Sequence, residues 1–143
     1  MAVLRSFERA GSQLPPIRRG PEYEKEIARG LVGNARQQID KYRSNPPIEL
    51  GKQHEWGRYL AQTTCTGCHN NALQGWEDFT PSLDVAGAYS HAELEHLLVT
   101  GEGKVKKNLG MMTETAKESL SHLTPRERAA VIAYVKTRAD QPQ

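Results

Sequence analysis

Both cysteines of the chain lie within five residues, Cys65-Thr66-Gly67-Cys68-His69, and a histidine closes the group. This C-x-x-C-H order is the attachment signature of a c-type haem. Two thiols three positions apart can each add to one vinyl group of a porphyrin. The adjoining His69 can then supply an imidazole nitrogen to the iron. Three other chemistries use a C-x-x-C pair. A zinc-binding module needs two more ligands, normally a second Cys/His pair. The remaining histidines are His54, His91, His96 and His122, and only His91 and His96 are close enough in sequence to improvise such a pair. A redox dithiol normally follows a strand in an α/β setting, and no segment here alternates as a strand does. A disulfide between Cys65 and Cys68 would close a very small loop and contribute little. The haem reading is preferred because His69 completes the motif and the downstream chain fits it.

A low-spin haem for electron transfer needs a ligand on the second face of the iron. Methionine opposite histidine raises the reduction potential, and its soft sulfur suits both oxidation states. Met111 and Met112 follow His69 by about 40 residues, beyond a helix and a loop, which lets the chain reach the far face. Met112 is in register with Ala116 and Leu120 on the buried side of the next helix, whereas Met111 points away. Met112 is therefore the expected ligand and Met111 the alternative, with the other one filling the core beside the porphyrin. His91, His96 and His122 are the rival ligands. A histidine there would lower the potential and abolish the iron–sulfur spectral signature.

The elements that must position these groups are helical. Residues 1–20 are polar and include Pro15-Pro16 and Arg18-Arg19, a flexible lead-in. Tyr23, Ile27, Leu31, Ala35 and Ile39 recur every four residues and predict one amphipathic helix over about 21–43. Gly30 and Gly33 weaken it by ~1 kcal/mol each, and Asn45-Pro46-Pro47 ends it. Trp56, Tyr59, Leu60 and Thr63 predict a helix from about His54 to Thr64, running into the haem motif. Residues 70–88 read as loop. Ser90-His91-Ala92-Glu93 and Thr124-Pro125-Arg126-Glu127 are capping boxes that open two further helices. Gly101 ends the first of them. A Gly/Lys loop over 101–110 leads to the short Met112 helix, and Val131, Tyr134 and Val135 form the apolar stripe of the last. The expected domains are an N-terminal extension, 1–50, and a haem domain, 51–143.

At 143 residues and 37% hydrophobic content, the chain has a thin core, which a buried porphyrin would enlarge. The formal net charge of +2 is too small to point to nucleic acid. Residues 1–50 carry nine Lys/Arg against six Asp/Glu, and residues 51–143 carry ten against eleven. Lys104, Lys106 and Lys107 form a local basic cluster. No apolar run of membrane-spanning length occurs, and the first residues lack the apolar stretch of a secretory signal. Haem attachment is expected outside the cytoplasm. The expectation is thus a periplasmic location, or the outer face of the cytoplasmic membrane, with an export signal or anchor removed from this chain.

With these motifs in place, residues from about 54 to 139 resemble the class I cytochromes c, all-α proteins folded around a covalent haem. The order helix, C-x-x-C-H, loop, helix, Met loop, terminal helix is that family's order. The resemblance implies several roles. Pro81, within Pro81-Ser82-Leu83, would accept the ring N–H of His69 through its carbonyl, fixing the tautomer and making the ligand more basic. Leu83 and Leu97 would line the haem pocket. Gly57 would mark the crossing of the first and last helices, with Tyr134 packed against it. Gly57-Arg58-Tyr59-Leu60-Ala61 and Gly101-Glu102-Gly103-Lys104 through Met112 look like bacterial mono- and dihaem cytochromes, including cytochrome subunits of membrane dehydrogenases. In that subgroup the second methionine of the pair is the expected ligand. Trp76 would either hydrogen-bond a haem propionate through its indole N–H or stand as a partly buried loop aromatic. Residues 1–50 carry no haem motif, so the chain is either the C-terminal part of a longer dihaem protein or a monohaem protein with an extra N-terminal helix.

The expected function is electron transfer through one His/Met-ligated haem c, without catalysis by this chain itself. Its partners would be other redox proteins: a dehydrogenase, an oxidase or another cytochrome. Lys104, Lys106 and Lys107 would steer an acidic partner. Nucleic acid is not expected, and a membrane only through a removed anchor or a partner. The rival functions are a haem enzyme or gas/redox sensor with a labile sixth ligand, and the zinc-binding module.

Overall fold

The computed structural model of the chain describes residue 11, residues 15–29 and residues 34–141. Among the described residues every regular element is helical, apart from one isolated bridge between Trp76 and Thr80. This is the all-α class expected. The chain divides into two compact units, residues 1–38 and residues 39–143.

Helix α1 spans Pro21–Ala28, with Pro21 opening it and Glu22 and Glu24 in its first turn, where carboxylates suit the positive end of the helix dipole. None of its residues is buried. Helix α2 spans Ala35–Ser44. The single helix expected over about 21–43 is therefore two. Asn34 starts α2 anew: its Oδ1 accepts from the Gln37 N–H (2.9 Å) and the Gln37 Oε1 accepts from the Asn34 N–H (3.2 Å). Such a reciprocal cap satisfies two otherwise orphaned donors. Gly30, Leu31 and Gly33, through which the apolar recurrence ran, lie outside the described residues.

The second unit holds α3 (Glu55–Thr64), the single turn α4 (Thr66–His69), α5 (His91–Thr100), α6 (Met111–Glu118) and α7 (Pro125–Ala139). Short 3₁₀ turns cover Lys52–His54, Leu83–Ala88 and Leu120–His122. The turn over Leu83–Ala88 interrupts what was expected to be loop, and Ser82 starts it by accepting the Asp84 N–H on its hydroxyl. Both predicted capping boxes form, at Ser90 and at Thr124. Gly101 closes α5 with φ +75°, a conformation glycine adopts without a Cβ penalty.

The core gathers Leu60 and Ala61 of α3, Leu94, Leu97 and Leu98 of α5, and Val131, Ile132, Tyr134 and Val135 of α7. Its closest approach is between the first and last of these helices. A Cβ on Gly57 would stand 2.1 Å from the Ala130 carbonyl oxygen and 2.9 Å from the Tyr134 Cβ. The expected contact of Tyr134 at Gly57 is thus present through the Tyr134 Cβ, beside a backbone contact with Ala130. Tyr134 is fully buried, and its hydroxyl donates to the Ile48 carbonyl at 2.9 Å. Burial pushes its phenol pKa up. Pro47 is also fully buried. Residues 39–50 are consequently part of the second unit, and the break expected at 50/51 falls inside it.

Gly57→Ala is expected to cost about 1–3 kcal/mol, because α3 must move off the Ala130 carbonyl; a denaturant midpoint measures it. The two capping carboxylates give a second expectation. The Glu93 carboxyl is held below its usual pKa range by the Ser90 backbone N–H first and by Lys104 second. Glu127 is held low by the backbone and hydroxyl of Thr124. Folding lowers both pKa values, so their stabilisation is present at neutral pH and fades as the pH falls through the carboxylate range. Replacing both by Gln should flatten the acid limb of stability, read from urea midpoints over a pH series.

Candidate functional site

The Cys65-to-His69 motif is coiled into one helical turn, closed by the His69 N–H donating to the Cys65 carbonyl at 2.9 Å. Residues three apart in a helix share a face, so this turn sets Cys65 and Cys68 side by side. Both thiols are free, Cys65 half-buried and Cys68 exposed. Burial holds the Cys65 thiol above the ordinary range, against the Thr64 hydroxyl 3.3 Å away, which acts to lower it. His69 is 7% exposed. Its Nδ1 lies 2.9 Å from the Pro81 carbonyl oxygen. A carbonyl only accepts, so Nδ1 carries the proton and Nε2 keeps its lone pair.

Three residues to which the sequence assigned no role at the site hold Pro81 against His69. Asn70 follows the motif with φ 58°. Its Oδ1 accepts from the backbone N–H groups of Ala72 (3.0 Å) and Gln74 (3.1 Å), and its Nδ2 donates to the Gly75 carbonyl. Gly75 sits at φ +79°, where a Cβ would meet the Thr80 carbonyl oxygen at 2.2 Å and the Pro81 carbonyl oxygen at 2.6 Å. Thr80 donates its hydroxyl to the Cys68 carbonyl at 2.5 Å and receives the Trp76 N–H. Asn71 adds a link to the chain before α3, donating to the carbonyls of Tyr42 (2.6 Å) and Asn45. An asparagine directly after the motif and a glycine six residues ahead of Pro81 were the available signals.

On the methionine side, the sequence-predicted register is found. Met112 is half-buried against the core, whereas Met111 is 52% exposed. Thr113 fixes this turn: buried, it donates its hydroxyl to the Gly101 carbonyl at 2.6 Å and accepts the Leu109 N–H at 2.8 Å. Gly101 lies close enough that a Cβ would reach the Thr113 carbonyl oxygen at 2.5 Å. Leu97 is buried and Leu83 packs at the core margin. Trp76 is 37% exposed beside the loop. His91, His96 and His122 are all exposed.

The lysine cluster lies among acidic side chains. Lys104 pairs with Glu93 and donates to the Ala88 carbonyl, and Lys107 pairs with Glu102, which also faces His96. Lys106 makes no ion pair with the described residues. Two of the three ammonium groups of the cluster are thus ion-paired with carboxylates. Among the described residues no three His, Cys, Asp or Glu side chains gather as a metal site, and no helix is long and apolar enough to cross a membrane.

Residues 55–139 match the sequence profile of the cytochrome c family. No curated protein and no solved structure matches the chain.

Thr113→Val is expected to cost about 1–3 kcal/mol by leaving the Gly101 carbonyl and the Leu109 N–H without their partner. Thermal unfolding followed by circular dichroism measures it.

Proposed function

The chain belongs to the cytochrome c family, whose members are electron-transfer proteins with covalently bound haem c, and we propose that it carries one such haem, which Cys65, Cys68, His69 and Met112 would hold. The observation that carries this reading is the buried His69, with Nδ1–H committed to the Pro81 carbonyl and Nε2 left with its lone pair. Two free thiols on one turn, an imidazole and a thioether form a donor set suited to haem. When bound, the haem supplies an iron that gains and loses one electron.

The residues of the chain do the rest. Cys65 and Cys68 would hold the porphyrin covalently. The Pro81 carbonyl orients the His69 ring and raises its basicity. Met112 presents sulfur from the core side of α6, with Met111 as the alternative. Leu83 and Leu97 exclude water, and Trp76 offers an indole N–H at the loop. The domain exchanges electrons with another redox protein, and we place it on the outer side of the cytoplasmic membrane. The loop of Lys104, Lys106 and Lys107 faces the partner with little net charge, so contact geometry outweighs long-range steering.

A haem stain on a denaturing gel, after export with a maturation system, should show covalent haem lost in Cys65→Ala/Cys68→Ala. In the visible spectrum of the oxidised protein, Met112→Ala should remove the iron–sulfur charge-transfer band and Met111→Ala should retain it. The reverse result would move the ligand to Met111. A high-spin parent spectrum would favour the enzyme or sensor reading.

A further inference from the structure

Arg138, near the end of α7, is fully buried although its side chain is charged. One of its terminal nitrogens, Nη1, is ion-paired with Asp84, and the other, Nη2, donates to the Ala72 carbonyl at 2.9 Å. These two partners belong to the two stretches that meet at His69. Ala72 lies in the loop after the motif, and its N–H donates to Asn70 Oδ1. Asp84 lies in the turn after Pro81, and its Oδ2 accepts the Ser82 hydroxyl at 2.7 Å.

The links close into a ring. From His69 Nδ1 the path runs to the Pro81 carbonyl, along the chain to Ser82, through its hydroxyl to Asp84, and to Arg138. It returns through the Ala72 carbonyl and the Asn70 side chain to His69. Every non-covalent step is a hydrogen bond or a charge-assisted one. The planar guanidinium fork is suited to hold two acceptors at a fixed separation, which an ammonium is not.

We propose that Arg138 is a positioning residue for His69: by spanning Ala72 and Asp84 it fixes the distance between the imidazole Nδ1 and the Pro81 carbonyl. This rests on the reading of His69 as the iron ligand. The consequence is electronic. A firm bond to Pro81 makes the imidazole a stronger donor and favours the oxidised iron. Loosening it raises the reduction potential without touching any residue at the haem.

The test uses the haem-loaded full chain and two variants. Arg138→Lys keeps the charge and loses the fork. Ser82→Ala opens the ring on its other side and alters no charge. The readouts are the exchange of the His69 ring N–H with deuterium, followed by NMR relative to the backbone amides of α7, and the reduction potential. Arg138→Lys should exchange this proton at least tenfold faster, relative to those amides, and shift the potential upward. Ser82→Ala should move both in the same direction by less. Ring exchange that rises only in step with the α7 amides, at unchanged potential, would reduce Arg138 to a structural role and overturn the proposal. If Arg138→Lys does not accumulate, Ser82→Ala decides, and parent-like values in both readouts overturn it. A parent protein with no ring N–H from an iron-bound His69 would instead remove the ligand reading, and this inference with it.

Discussion

The hydrogen bond from His69 to the Pro81 carbonyl spans twelve residues of irregular chain. A buried imidazole has two nitrogens to satisfy, and only one can be left for another purpose. The loop between them exists to deliver one carbonyl oxygen to Nδ1, and its unusual backbone follows from that demand. Asn70 and Leu73 take positive φ values, as does Gly75. For Leu73 this is a strained region for a branched side chain, offset by complete burial in the core. Asn70 repays its conformation with three hydrogen bonds inside the loop. The rest of the unit is scaffolding for this arrangement, with α7 covering the loop on one side and α3 feeding into the motif.

Much of this was legible in the sequence because it is local. The capping boxes at Ser90 and Thr124, the stop at Gly101 and the inward register of Met112 each depend on residues within about one turn. Gly57 and Tyr134 were legible through family resemblance. The failures have a common physical origin. The apolar recurrence over 23–39 was correct as a pattern, but a cap made by Asn34 and Gln37 restarts the helix, and periodicity is blind to caps that interrupt it in phase. The tie between residues before α3 and the last helix is not legible because the partner of the Ile48 carbonyl is a tyrosine hydroxyl 86 residues away. Nothing in the sequence singles out Arg138, because its partners Ala72 and Asp84 are brought together only by the fold.

The lysine loop shows the same limit in electrostatics. Counting charges along residues 104–107 gives a cluster; the fold brings Glu93 and Glu102 beside it. At the surface such pairs contribute little to stability, but they change what a partner meets. Two of the three ammonium groups that the sequence counts as a cluster are thus met by carboxylates in the folded chain.

The backbone contact of Gly57 with Ala130 also governs when the fold can form. The first and last helices of the haem-bearing unit lie against one another, so the core cannot close until nearly all of it is present. Contacts of this separation are slow to form, because the loop between them must be ordered first. Sealing the unit by its final helix therefore ties completion of the core to the arrival of α7, and anything that delays that helix leaves the whole interior open.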